Sequence, residues 1–181
     1  MRVKKARIQP LDPKDMSEDT REIAAKAGKD LNIFRTMANH PKMLKKFLVY
    51  GGYILAGSTL PARERELVIL RIGYLCQAGY EWTQHVRIAR EAGMSDEEIR
   101  SCVSGPQTPD LSAADKALLQ ATDELHHDQH ISDATWAELA KHFSEQQMMD
   151  IVMTAGQYTM VSMALNSFGV QLEEGDVQWN V

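Results

Sequence analysis

Between Pro41 and Gly57 apolar residues return every three or four positions, at Leu44, Phe47, Leu48, Gly51, Ile54 and Leu55. That spacing puts them on one face of an amphipathic helix. Pro41 suits the first helical position, and Gly57 ends the run. Pro61 opens the next element, "ARERELVILRIGYLC", which begins charged and turns apolar on almost every side from Leu67 to Leu75. A helix apolar all round is a buried one. The same run fits a buried strand, but its length and its Arg/Glu-rich start favour helix. Gly79 then breaks the chain before "YEWTQHVRIAREAG", which stops at Gly93.

The flanking segments are punctuated in the same way. Pro10 and Pro13 disfavour helix ahead of them, so residues 1–16 read as an extended arm. Short helices are expected from Ser17 to about Lys29 and from Leu31 to His40. Ser95 to Glu98 is a capping box, as is Ser144 to Gln147, and Ser112 and Ser132 are further N-caps. The long segment from Ser144 to about Gly169 is apolar over a broad face, which suggests the central or inter-subunit helix. Strand signals are almost absent, with no Asn-Gly or Asp-Gly turn between alternating runs. The expectation is an all-α protein of eight or nine helices: a single domain over residues 17–170, with an irregular tail over 171–181.

Composition narrows the function classes. The chain has 181 residues, 44% hydrophobic and 25% charged, which is ordinary for one globular domain. A net charge of −5 with well-mixed signs lacks the basic stripe of a nucleic-acid binder. No apolar run is long enough to span a membrane. The N-terminal "MRVKKARIQPLDPKD" has basic residues with no apolar run behind them, so no secretory leader is expected. With Cys76 and Cys102 as its two cysteines, the chain reads as a cytoplasmic protein with reduced thiols.

The candidate chemistry sits in the middle helices. Glu81 and His85 are four residues apart on one helix, so their side chains meet on one face. A carboxylate beside an imidazole raises its pKa and fixes its tautomer, giving a proton donor or acceptor near neutral pH. The same spacing is common on solvated helix faces. Glu66 lies 19 residues before His85 and reaches the same point if the two helices form an antiparallel hairpin around Gly79.

Other positions carry weaker signals. Arg71, a charge in an apolar helix, is either a clamp for a substrate carboxylate or an arginine paired with a structural partner. Tyr80 and Trp82 flank Glu81 and are candidates for pocket lining or plain packing. Cys76 is either an inert buried thiol or a redox group. His126, His127 and His130 have a spacing compatible with zinc, but they sit where a helix ends, without a second motif, and read as surface histidines. No metal site is expected. Methionines cluster at Met148, Met149, Met153, Met160 and Met163 and suit a core or a subunit interface. Gln157 and Asn166 are polar positions in that apolar helix, expected to bond a neighbouring helix, with pocket lining as the alternative.

The segment "RERELVILRIGYLCQAGYEWTQHVRIAREAGMSDEEI", Arg63 to Ile99, resembles the core of the carboxymuconolactone decarboxylase family, which shares an all-helical fold with the alkylhydroperoxidase AhpD. The resemblance extends over roughly residues 35 to 170. The AhpD branch carries a Cys-x-x-Cys pair ahead of its histidine, and those two positions hold Ala78 and Glu81 here. Glu66 and His85 fall where that branch keeps its glutamate and histidine proton relay. The resemblance therefore implies the Cys-poor, decarboxylase-like branch: a cofactor-free lyase acting on a small carboxylated molecule such as an aromatic-catabolism lactone. His85 would supply a proton, Glu81 would orient it and Glu66 would relay it. It also implies a homo-oligomer, trimer or hexamer. Two alternatives stay open: a thiol-dependent antioxidant enzyme using Cys76, alone or with Cys102, and an inactive ligand-binding oligomer.

Overall fold

The computed structural model describes residues 2–177, and among them the regular elements are all helical. In chain order they are α1 (Glu18–Ala25), α2 (Asn32–Met37), α3 (Pro41–Gly52), α4 (Ala62–Leu75), α5 (Gly79–Glu91), α6 (Asp96–Ser104), α7 (Ala113–Asp128), α8 (Asp133–Leu139) and α9 (Glu145–Phe168). A 3-10 turn at Pro13–Asp15 interrupts the N-terminal arm, and α3 runs on as a π-helical turn over Tyr53–Gly57. The expected all-α fold is the observed one.

The local stops and starts follow from capping chemistry. Ser17, Ser95, Ser112, Ser132 and Ser144 each accept a hydrogen bond from the backbone N–H three residues on. At Ser95/Glu98 and Ser144/Gln147 the reciprocal bond is also made, completing both expected capping boxes.

The central helix is α4, not α9. Packed by α5, α6, α7 and α9, it buries every residue from Glu66 to Gly73. That is why its sequence is apolar on all sides. α9 instead buries one face and presents a stripe of Met149, Met153, Met160 and Met163 to solvent. One core cluster gathers around α4. A second, including Met16, Ile33, Met37, Leu44 and Leu165, fastens the N-terminal helices to the end of α9.

The N-terminal arm is tied down. Arg7 and Ile8 donate their backbone N–H groups to Phe168 O at 2.8 and 3.1 Å. At Gly169 (φ +71°) a Cβ would lie 2.7 Å from Val3, so only glycine allows the arm to pass this close. The tail is irregular through residue 177, but it is not idle, as described below; residues 178–181 lie outside the described residues.

Candidate active site

The α4–α5 hairpin assembles the site. Gln77 takes a left-handed conformation (φ 52°), and Ala78 N donates to Gly73 O at 2.8 Å, reversing the chain within a few residues. Asn166 of α9 fixes the turn from outside, donating to Cys76 O at 2.9 Å. Glu66 lies nine residues before the end of α4, and His85 lies six after the start of α5. At about 1.5 Å per residue the two arrive at similar heights on facing helices.

There His85 is held between two carboxylates. Its Nδ1 is 2.6 Å from Glu66 Oε2, and its Nε2 is 2.9 Å from Glu81 Oε1. Glu66 is fully buried and has Arg65 Nε at 3.3 Å from its other oxygen. With a carboxylate against each ring nitrogen, the ring suits an imidazolium that donates Nδ1–H to Glu66 and pairs its charge with Glu81 through Nε2. Burial alone lowers its pKa, but the charges of Glu66 and Glu81, with their hydrogen bonds, outweigh this and hold it at about 10. With His85 protonated and Arg65 alongside, the buried charges are balanced, as buried ions must be. The Tyr158 ring meets the imidazole edge-on, 4.9 Å between centroids.

Glu81 and His85 form part of the wall of a partly open cavity of about 360 Å³, bounded by the α1–α2 loop, α2, α3, α5 and α9. Its walls are largely apolar, from Phe34, Phe47, Leu48, Ile88 and Val161. Glu66 stands behind His85, away from the cavity surface. The three residues thus form a line from the cavity into the core: Glu81, His85, Glu66.

The remaining expected site residues divide. Tyr80 lines the cavity, but its hydroxyl donates to Glu173 at 2.6 Å, so its polar end is already committed. Trp82 is buried in the core around α4, edge-on to Tyr74, and does not reach the cavity. Arg71 lies off the cavity wall and is paired within the fold, the structural reading of the two. Its guanidinium is bidentate to Asp123 (2.5 and 2.8 Å) and donates to the carbonyls of Cys102 and Val103. None of these residues lines the cavity. An embedded arginine has satisfied itself within the core.

The thiols are poorly placed for redox chemistry. Cys76, half-buried at the end of α4, is absent from the cavity wall, and burial pushes its pKa up. Cys102 is fully buried and its thiol is pushed up to about 12. Nucleophilic sulfur requires the thiolate, which both sites disfavour. His126 Nδ1 lies 3.7 Å from Cys76 Sγ, and His127 Nδ1 bonds Asp123 O at 2.8 Å.

Four wall residues carry little sequence signal. Gln157 and Tyr158 sit on α9, and Lys26 and Lys29 on the α1–α2 loop. Only Gln157 stands out, as a polar residue in an apolar run. The tail residues Glu173 and Asp176 are also unmarked in the sequence, yet they brace the wall. Glu173 does so through Tyr80 and the Asn32 backbone (2.8 Å), Asp176 through Gln84 (2.8 Å) and Arg87.

The profile of the carboxymuconolactone decarboxylase family matches residues 41–124, a stretch from α3 into α7 that contains Glu66, Glu81 and His85. Those residues belong to that family. No curated protein sequence matches the chain. Among solved structures, the chain is similar to an alkylhydroperoxidase AhpD core, an uncharacterized peroxidase-related protein from Ralstonia eutropha. The TM-score is 0.80 at 20% identity, with 93% of each chain covered. An uncharacterized peroxidase-related protein from a Silicibacter species gives a TM-score of 0.78 at 18% identity, covering 94% of this chain and 95% of that one. The chain is also similar to a cysteine-to-alanine variant of the debrominase Bmp8 in complex with 2,3,4-tribromopyrrole (TM-score 0.75, 17% identity, 92% of this chain and 91% of that one). At these identities the likeness establishes an AhpD-like fold. Ala78 and Glu81 stand seven and four residues before His85, and the chain's two cysteines lie elsewhere, at Cys76 and Cys102.

Proposed function

We propose that the protein is a cofactor-free lyase that removes carbon dioxide from a small carboxylated, lactone-type metabolite by His/Glu acid–base chemistry. The observation that carries this reading is the buried line Glu66–His85–Glu81, with its Glu81 end on a partly open, largely apolar cavity. Loss of carbon dioxide breaks a carbon–carbon bond and leaves the electron pair on the substrate, delocalised into a neighbouring carbonyl. A proton must then reach the carbon.

His85, protonated at neutral pH, supplies the proton from Nε2. Glu81 aligns that nitrogen and stabilises the imidazolium, and Glu66 holds the Nδ1 proton so that the ring keeps its orientation. Solvent restores the proton after product leaves. General acid–base help of this kind is worth roughly a hundred- to ten-thousand-fold in rate. The thiol-enzyme alternative is disfavoured by the raised thiol pKa values and by Cys76 lying off the cavity.

The protein is read as a cytoplasmic homo-oligomer, with the methionine stripe of α9 as its contact. No helix among the described residues is long and apolar enough to cross a membrane.

The test is carbon dioxide release from γ-carboxymuconolactone by purified protein, comparing wild type with His85→Ala and His85→Gln. Release by wild type that disappears in both variants is the expected result. No release by wild type would reject this substrate, and release undiminished in the variants would remove His85 from the chemistry.

A further inference from the structure

One wall of the cavity, built by α3 and its π turn, is thinly anchored. Leu44 is fully buried in the cluster that holds the N-terminal helices, and Ile54 is fully buried in the core around α4. Between these two anchors, over residues 45–53, no residue is buried. The span nevertheless supplies Phe47, Leu48, Gly51 and Gly52 to the cavity, with Leu55 just beyond it. Few buried contacts are the physical mark of a segment that opens easily.

The local sequence loosens this span further. Gly51 and Gly52 stand side by side at the end of α3, and each weakens a helix roughly fourfold to fivefold relative to alanine. Packing does not demand them. A Cβ on Gly52 would meet nothing within 4 Å, and one on Gly51 would lie 3.8 Å from Gln157 Nε2, an ordinary contact. The π turn over Tyr53–Gly57 follows at once. Such turns interrupt the regular helical ladder and are frequent at functional sites.

A single carboxylate latches the turn to α9. Asp150, 3% exposed, accepts from the Tyr53 hydroxyl at 2.6 Å and from Thr59 N and Oγ1 at 2.7 and 2.8 Å. It therefore grips the chain at the start of the π turn and again just past its end. Hydrogen bonds to an ionised acceptor are roughly twice as strong as neutral ones, so this grip decides how often the wall lifts.

We propose that residues 47–57 are a gate on the cavity. The segment bends outward at Gly51, Gly52 and the π turn when Tyr53 leaves Asp150, and it closes when that bond re-forms. The gate controls access to the site described under the proposed function, so its role in turnover rests on that reading. Its motion is tested without turnover.

Hydrogen exchange read by mass spectrometry is expected to show residues 47–57 opening well before α4. Gly51→Ala/Gly52→Ala is expected to slow exchange there about twentyfold, the product of the two glycine effects. Tyr53→Phe is expected to speed it about tenfold or more, with α4 and α7 unchanged in both variants. Entry to the cavity is read separately in a Val161→Cys background, since Val161 is a wall residue only 4% exposed. Labelling at that position by N-ethylmaleimide, resolved from Cys76 and Cys102 by mass spectrometry, is expected to slow with the alanine pair and to speed with Tyr53→Phe. Exchange over residues 47–57 no faster than in α4, or labelling unmoved by both changes, would overturn the gate. Labelling that responds while γ-carboxymuconolactone releases no carbon dioxide rejects the lyase reading and keeps the gate. Carbon dioxide release with unmoved labelling does the reverse.

Discussion

His85 Nδ1 lies 2.6 Å from Glu66 Oε2 across the α4–α5 hairpin, with Glu66 wholly buried and His85 reaching only the cavity. A buried ion pair of this kind is costly to break from one side, because the remaining charge is left uncompensated. Glu66→Ala is expected to destabilise the protein by about 3–5 kcal/mol in urea unfolding. Glu66→Gln keeps a hydrogen-bond acceptor and is expected to lose less stability. In both, turnover of the true substrate is expected to fall by roughly a hundredfold or more. A stability loss in Glu66→Ala below about 1 kcal/mol would mean that the pair contributes no more than an exposed one.

The same pair sets a pH dependence. The folded protein raises the His85 pKa from 6.5 to about 10, so the fold binds that proton more tightly than the unfolded chain does. The stabilisation is therefore complete below pH 6.5 and disappears as pH climbs through about 10. Thermal melts of wild type are expected to lose stability across that window, and His85→Gln is expected to lack this component. Parallel pH profiles for the two proteins would contradict the assignment.

Much of this site is legible in the sequence because it is local. The Glu81–His85 contact is helix arithmetic, and the serine caps mark helix starts from residues three positions away. Glu66 is reachable because Gly79 marks the reversal of a hairpin. What depends on distant neighbours is not legible. The run around Arg71 is apolar on every side and carries no information about which helix offers the partner, so Asp123, 52 residues on, is invisible. Apolar character likewise does not separate a buried methionine from an exposed one. The breadth of the apolar face on α9 therefore fits the centre of the fold and a subunit contact equally well, and the centre is held by α4. Lys26, Lys29, Glu173 and Asp176 join the cavity only through tertiary folding.

Arg71 gives a prediction that separates architecture from chemistry. Its guanidinium fills the space beside Gly105, where an added Cβ would lie 2.6 Å from Nη2, and Gly105 has φ +80°. Gly105→Ala is therefore strained twice over and is expected to destabilise by more than about 1 kcal/mol. Arg71→Lys, which cannot reproduce the bidentate contact with Asp123, is expected to lower the melting temperature too. Neither residue touches the cavity, so kcat/KM per folded molecule is expected to stay within about threefold of wild type. A selective rise in KM for Arg71→Lys with stability unchanged would restore the clamp.

The tail offers a prediction about ligand binding. Glu173 accepts from the Tyr80 hydroxyl and the Asn32 backbone, and Asp176 accepts from Gln84 and Arg87, so one short segment braces two sides of the cavity. Hydrogen bonds to charged groups are worth about 1.5–3 kcal/mol each. Glu173→Gln and Asp176→Asn are expected to raise KM several-fold with kcat little changed, since neither residue contacts the acid–base line. A fall in kcat with unchanged KM would place the tail in the chemistry instead.

The exposed face of α9 concerns assembly. Met149, Met153, Met160 and Met163 lie on one stripe with 66%, 47%, 48% and 62% exposure, and Gly156 stands open between them. Four methionines in line form a continuous apolar surface, whereas single exposed apolar residues are ordinary. Methionine is also the side chain most able to adapt to an opposing copy. If copies of the chain meet here, a charge at the middle of the stripe is buried without a partner. Met153→Lys and Met160→Glu are each expected to shift the mass measured by light scattering toward the 20.4 kDa monomer. The lysine and glutamate variants mixed in equal amounts regain some association only where the two positions oppose each other across the contact. A wild-type protein already monomeric at micromolar concentration would leave the stripe without the partner proposed for it.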